Sequence, residues 1–121
     1  MSSAEISWHV ELKVKPGQLS CFQTLTGEMV AAARAEPGVL SYQRFVSEDG
    51  TIIHLYERFA NSNAALAHLE VFSKYFAAPF SAMVERRSFT VFGWPTADVR
   101  AVLDQFRAVY MRPFGDFAYW P

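Results

Sequence analysis

A single cysteine, Cys21, excludes an internal disulfide and any cysteine-rich metal site. A net charge of −1 leaves no basic footprint for nucleic acid. No apolar run is long enough to span a membrane, and the N-terminus lacks the charged-then-apolar layout of a signal peptide. The expectation is a protein of the reducing cytoplasm. There is no repeat of short period, no low-complexity linker, no phosphate-binding glycine loop and no GxSxG elbow.

What the chain has is aromatic side chains: eleven Phe, five Tyr and three Trp in 121 residues, with 51% of all residues hydrophobic. That length makes one domain with a core of its own. The aromatic content exceeds what a small core hides. A subunit interface, an aromatic pocket, or both would use the surplus.

Residues 35–72 organise the rest. Glu36-Pro37-Gly38 stops a helix, because Pro37 cannot continue one and Gly38 tolerates positive φ. Residues 39–46 read as a strand, Glu48-Asp49-Gly50 as a turn, and residues 51–59 as a second strand rich in β-branched and aromatic side chains. Asn61-Ser62-Asn63 offers caps to a helix carrying His68. Glu57 falls between Leu55 and Phe59 on one strand face, so it needs a partner or a raised pKa. On the helix, His68 shares a row with Ala64 and Phe72, on or beside the apolar face.

Upstream, residues 6–14 alternate strictly: Ile6, Trp8, Val10, Leu12 and Val14 face one way and Ser7, His9, Glu11 and Lys13 the other. Residues 18–35 carry an apolar helical stripe through Phe22, Leu25 and Met29, with Cys21 read as a small buried hydrophobe beside it. Downstream, residues 72–84 stay helical, with Pro79 expected to split them into two short helices. Residues 86–95 read as a fourth strand. Thr96 is a candidate cap for a helix running through Val99, Leu103, Phe106, Val109 and Tyr110 to Arg112-Pro113, and residues 114–120 form an aromatic tail. The order strand, helix, strand, strand, helix, strand is the split βαβ, ferredoxin-like arrangement of an α+β domain.

Three patterns, VELKVKPG, AEPGVLSYQ and HLYERFANSNAALAHLE, occur here in an order and spacing that resembles the antibiotic biosynthesis monooxygenase superfamily. The resemblance covers residues 6–94, the expected family-like domain, and leaves residues 95–121 as an added helix and tail packing on the same domain or on a partner. It implies a four-stranded antiparallel sheet with helices on one face, and a homodimer in which two sheets close into an α+β barrel. Known members include enzymes that oxidise polycyclic aromatics without metal or flavin, enzymes that degrade haem, and members with no assigned activity, so the fold does not fix the function.

On the leading reading the chain is a monooxygenase that oxidises a small aromatic or quinol-like molecule without a cofactor or metal. His68 is then the base, Tyr42 a donor to a substrate oxygen, and Glu57 orients His68 or polarises the substrate, while Trp8, Phe72, Tyr75 and Phe76 line the walls. Each has a plainer role: His68 bonding to Glu57 or a backbone carbonyl to lock helix to sheet, Glu57 holding an arginine or a helix N-terminus, Tyr42 at an interface, the aromatics in the core. A non-catalytic, small-ligand-binding or stress-related module is the alternative. For the haem-degrading branch His68 is available, but no Asn and Trp fall at matching positions. His9 and His54 read as surface or dimer-contact residues, and no spacing supports a metal site with His68.

Overall fold

In a computed structural model, residues 4–117 are described. Five strands, β1 (Ile6–Val14), β2 (Val39–Val46), β3 (Ile52–Phe59), β4 (Val84–Phe92) and β5 (Val109–Met111), form one sheet in the order β2-β3-β1-β4-β5. The described residues also form four α-helices, α1 (Leu19–Ala35), α2 (Ser62–Val71), α3 (Ala77–Met83) and α4 (Ala97–Leu103). The ferredoxin-like α+β expectation holds, with one strand more than the four expected. β1 to β4 pair antiparallel, and β5 runs parallel to β4. No helix among the described residues is long and apolar enough to cross a membrane.

The alternation of β1 sets the two faces of the sheet. Ile6, Trp8, Val10, Leu12 and Val14 are all buried against the helices, as are Ile53, Leu55, Glu57 and Phe59 of β3. Phe22, Leu25 and Met29 of α1 close the core from above. The opposite face is open and carries Phe45, Tyr56, Phe92, Val109 and Met111, all exposed, around a contact between His9 and His54. His9 and His54 therefore lie across the sheet from His68.

Gly38 fixes how α1, β2 and α2 meet. Its φ is +84°, its carbonyl accepts from Ala60 N–H at 2.8 Å, and a Cβ there would sit 2.6 Å from Ala64 Cβ. α2 starts one residue past its cap: Asn61 Oδ1 accepts from Ala64 N–H at 2.9 Å.

Two expectations change in the C-terminal half. The break after α2 is a π-helical turn over Phe72–Phe76, with Ala77 N–H bonding back five residues to Phe72 O. Pro79 acts from below, since it offers no N–H to the carbonyl of Tyr75 four residues earlier. The helix expected to reach Tyr110 ends at Leu103, followed by a 3₁₀ turn over Asp104–Phe106. Arg107 then takes a left-handed conformation (φ 57°), with Ala108 N–H bonding to Leu103 O and Arg107 N–H to Asp104 O. That reversal lays Val109 and Tyr110 beside β4 as strand. Cys21 is exposed rather than buried, one position off the α1 stripe. Of the expected tail, residues 118–120 lie outside the described residues, and Phe114 and Phe117 are exposed.

Candidate active site

The sheet register assembles the site. Tyr42 of β2 pairs with Glu57 of β3, and Glu57 pairs with Trp8 of β1, so the three side chains form one row on the helix-facing side. Glu57 is only 5% exposed and is bonded on both oxygens. Trp8 Nε1–H donates to Oε1 at 2.8 Å, and Arg44 Nη2–H donates to Oε2 at 2.7 Å. Arg44 lies one pleat along β2, diagonal to Glu57, and its guanidinium covers the Tyr42 ring at 3.5 Å from the centroid.

His68 descends from α2 onto this row and is 5% exposed. Its Nε2 is 3.4 Å from Glu57 Oε1, and its Nδ1 is 2.9 Å from Glu36 Oε1. Its ring meets Tyr42 edge-on at 5.3 Å and Phe59 at 5.1 Å. Glu36 is the C-cap of α1, so the same Glu-Pro-Gly stop that ends the helix also delivers a carboxylate to the imidazole.

Four ionisable groups thus meet in near-complete burial. Burial alone drives Glu57 upward, but the Arg44 guanidinium and the His68 ring outweigh it and hold the carboxyl at about 2. Burial alone drives His68 downward, but Glu57 and Glu36 outweigh it and raise the imidazole above its ordinary value. Burial, reinforced by the Glu57 charge, raises the Tyr42 hydroxyl, which stays protonated as a donor. Glu36 Oε2, Arg44 Nε and Arg44 Nη1 are buried without a hydrogen-bond partner among the described residues.

Beside this cluster is a cavity of about 40 Å³, room for a few ordered waters. Trp8, Tyr42, Glu57, His68 and Phe72 line it, and so do Arg86, Phe89 and Phe106. Of the residues expected at the site, the structure brings together His68, Tyr42, Glu57, Trp8 and Phe72. Tyr75 is 60% exposed and Phe76 is half-buried against the core, and neither borders the cavity. The π turn places a fifth residue in that helical turn and rotates Tyr75 outward.

Sequence reasoning missed Glu36, Arg44, Arg86 and Phe106. Arg86 reaches the inner face through a bulge. Glu11 pairs with Ser88 and Leu12 with Arg86, so Arg87 is the extra residue and Arg86 shares the side of Phe89. Arg86 sits over the Phe106 ring at 4.5 Å, and Phe106 stacks on Phe89 at 5.7 Å. Among the described residues Arg86 has no ion pair or hydrogen bond. Burial lowers its pKa, yet a guanidinium stays protonated at neutral pH.

A family model for antibiotic biosynthesis monooxygenases matches residues 6–78. No curated protein matches the chain in sequence. Among solved structures, MupZ from Pseudomonas fluorescens is similar with a TM-score of 0.86 at 17% identity, covering 97% of this chain and 96% of its own. SnoaB, a cofactor-independent oxygenase from Streptomyces nogalater, is similar with a TM-score of 0.62 at 13% identity, covering 78% and 97%. Rv0793 from Mycobacterium tuberculosis reaches 0.60 at 23% identity, covering 76% and 96%. At these identities the likeness is one of fold. The MupZ match is long enough to include α4 and β5.

The charge cluster fixes the pH response of stability. His68 has a raised folded pKa, so its contribution is complete below the ordinary value of 6.5 and fades as pH rises through the higher folded value. Glu57 has a depressed pKa, so its contribution is complete above 4.5 and is lost as pH falls through about 2. In urea unfolding, the stability advantage of wild type over His68→Gln should shrink steadily as pH climbs above 6.5; an advantage that grows would contradict the clamp. Arg44→Met should lower stability at neutral pH by about 3 kcal/mol, since it strips a buried carboxylate of its main cation.

Proposed function

The chain belongs to the antibiotic biosynthesis monooxygenase family, and from that premise we propose that it oxidises a small, electron-rich aromatic or quinol-like molecule with molecular oxygen and without a cofactor. One observation carries this reading: an imidazole backed by two carboxylates forms part of the wall of a largely apolar cavity rich in aromatic rings. SnoaB, the neighbour described as a cofactor-independent oxygenase, has the same fold.

The chemistry asks three things of the protein. The substrate loses a proton from an activated C–H or O–H. The resulting carbanion or phenolate gives electrons to oxygen, one oxygen atom entering the product and the other leaving as water. An activated CH₂ becomes C=O in this way, with one O₂ consumed and one H₂O released. His68 accepts the proton at Nε2, the ring nitrogen with the longer contact. Glu36 and Glu57 stabilise the imidazolium so formed, which makes the ring a stronger base than a free histidine. Tyr42, held protonated, donates toward the developing oxyanion. Trp8, Phe72, Phe89 and Phe106 exclude water and stack on the substrate.

A second reading draws on the cavity's size. About 40 Å³ is far below the volume of a two-ring aromatic, and both ring nitrogens of His68 already have carboxylate neighbours. These two facts favour a module in which the cluster only ties α2 to the sheet and the cavity binds a small apolar molecule.

We also propose that the protein works as a homodimer in the cytoplasm. The open sheet face, with Phe45, Tyr56, Phe92 and Met111 exposed around His9 and His54, gives a second copy of this chain an apolar surface to cover.

Metal-free protein mixed with an anthrone or a hydroxynaphthalene should consume oxygen. The rate should rise with pH as His68 loses its proton, and His68→Gln should remove at least about two orders of magnitude of it, the usual contribution of a positioned base. Equal rates for the two proteins would remove His68 from the mechanism, and no uptake with any such substrate would favour the binding module. Light scattering should give twice the chain mass of 13.7 kDa, and Tyr56→Glu should give the single mass; a wild-type monomer would refute the sheet-to-sheet pairing.

A further inference from the structure

Among the described residues, the inward face of the sheet holds one cation that the Glu57 cluster does not use. Arg86 faces the cavity because of the β4 bulge and is half-buried. A guanidinium in that position loses hydration, and Phe106 offers it only a ring face in return. Its nitrogens keep their hydrogen-bonding capacity for something else.

The surroundings indicate what that is. β5 pairs with residues 90–92, so among the described residues the outer edge of β4 over residues 84–88 has no strand beside it. The 3₁₀ turn and the left-handed Arg107 hold Gln105, Phe106 and Arg107 across from that edge. Between them runs a groove of about 340 Å³ lined by Arg86, Arg87, Ser88, Phe89, Gln105, Phe106 and Arg107. Three arginines, Arg86, Arg87 and Arg107, line this space. The nearby carboxylates are otherwise placed: Glu85 lies 3.8 Å from Arg87 and is largely exposed, and Asp104 accepts from the Tyr110 hydroxyl at 2.6 Å. Arg86, Phe89 and Phe106 line both this groove and the aromatic cavity. The two spaces therefore adjoin, with the stacked Phe89–Phe106 pair between them.

We propose that this groove is the entrance to the site and that it selects an aromatic acid. The ligand's carboxylate lies against Arg86 with Arg107 beside it, and its ring passes Phe89 and Phe106 toward Trp8 and His68. Guanidinium nitrogens match a carboxylate two by two, and a partly dehydrated groove strengthens the pairing. The assignment rests on the oxidation or binding site described above and adds the charge class of its ligand. It also separates two jobs: Glu36, His68 and Glu57 contact one another, whereas Arg86 has no ion-pair partner among the described residues and is free to hold the ligand's charge.

The test uses 2-naphthoate and its neutral isostere 2-naphthamide, with binding to the full-length protein measured by calorimetry. Wild type should bind the acid at least about tenfold more tightly than the amide, and added salt should erode that preference while leaving the amide unaffected. Arg86→Gln should bring the acid down to the amide's affinity. Arg107→Gln, at an exposed position that does not test folding, should remove part of the preference. Equal affinities of wild type for the two probes would overturn the anion assignment and leave the aromatic pocket standing. A preference that survives in Arg107→Gln and in folded Arg86→Gln would overturn it as well. Failure of both probes to bind would overturn the assignment together with the pocket reading.

Discussion

A carboxylate buried in the apolar face of a sheet constrains everything around it. Glu57 sits between Leu55 and Phe59, where an ionised group survives only with a cation and with hydrogen bonds on both oxygens. Arg44 supplies the charge, Trp8 the second bond, and His68 closes from above. Each partner comes from a different element: Arg44 from the edge strand, Trp8 from the central strand, His68 from α2. Glu36 at the end of α1 completes a group of two acids and two bases. The same contacts that neutralise Glu57 fix the height and rotation of α2 over the sheet. The clamp that orients the His68 ring also raises its basicity.

The parts of the molecule written in local period were legible in the sequence. β1 declared its buried face by strict alternation, the hairpin by its turn residues, and α1 by its stripe. Glu57 announced that it needed a partner simply by its place in the pattern. What escaped was set by irregularity. Arg86 faces inward only because one extra residue in β4 reverses the alternation there. Tyr75 faces outward because of the π turn. Val109 and Tyr110 continue the spacing of α4 and sit in a strand because Arg107 reverses the chain without a glycine to advertise it. Glu36 was readable as a helix stop, but its reach to His68 depends on Gly38 packing against Ala64, a contact between segments far apart in sequence.

The cavity and the groove connect the fold to any ligand. Alone, the cavity takes a few waters. The groove is larger and open, and the wall between them is an aromatic pair, one member of which sits in a three-residue turn. None of the bonds that hold Arg44, Glu57 and His68 together runs through Phe89 or Phe106.

The protonation state of one ring carries the account. Nitrogen-15 NMR of the labelled His68 imidazole, followed through a pH titration of the folded protein, reads it directly. The account predicts a titration midpoint above the ordinary histidine value of 6.5. A midpoint at or below that value would contradict it.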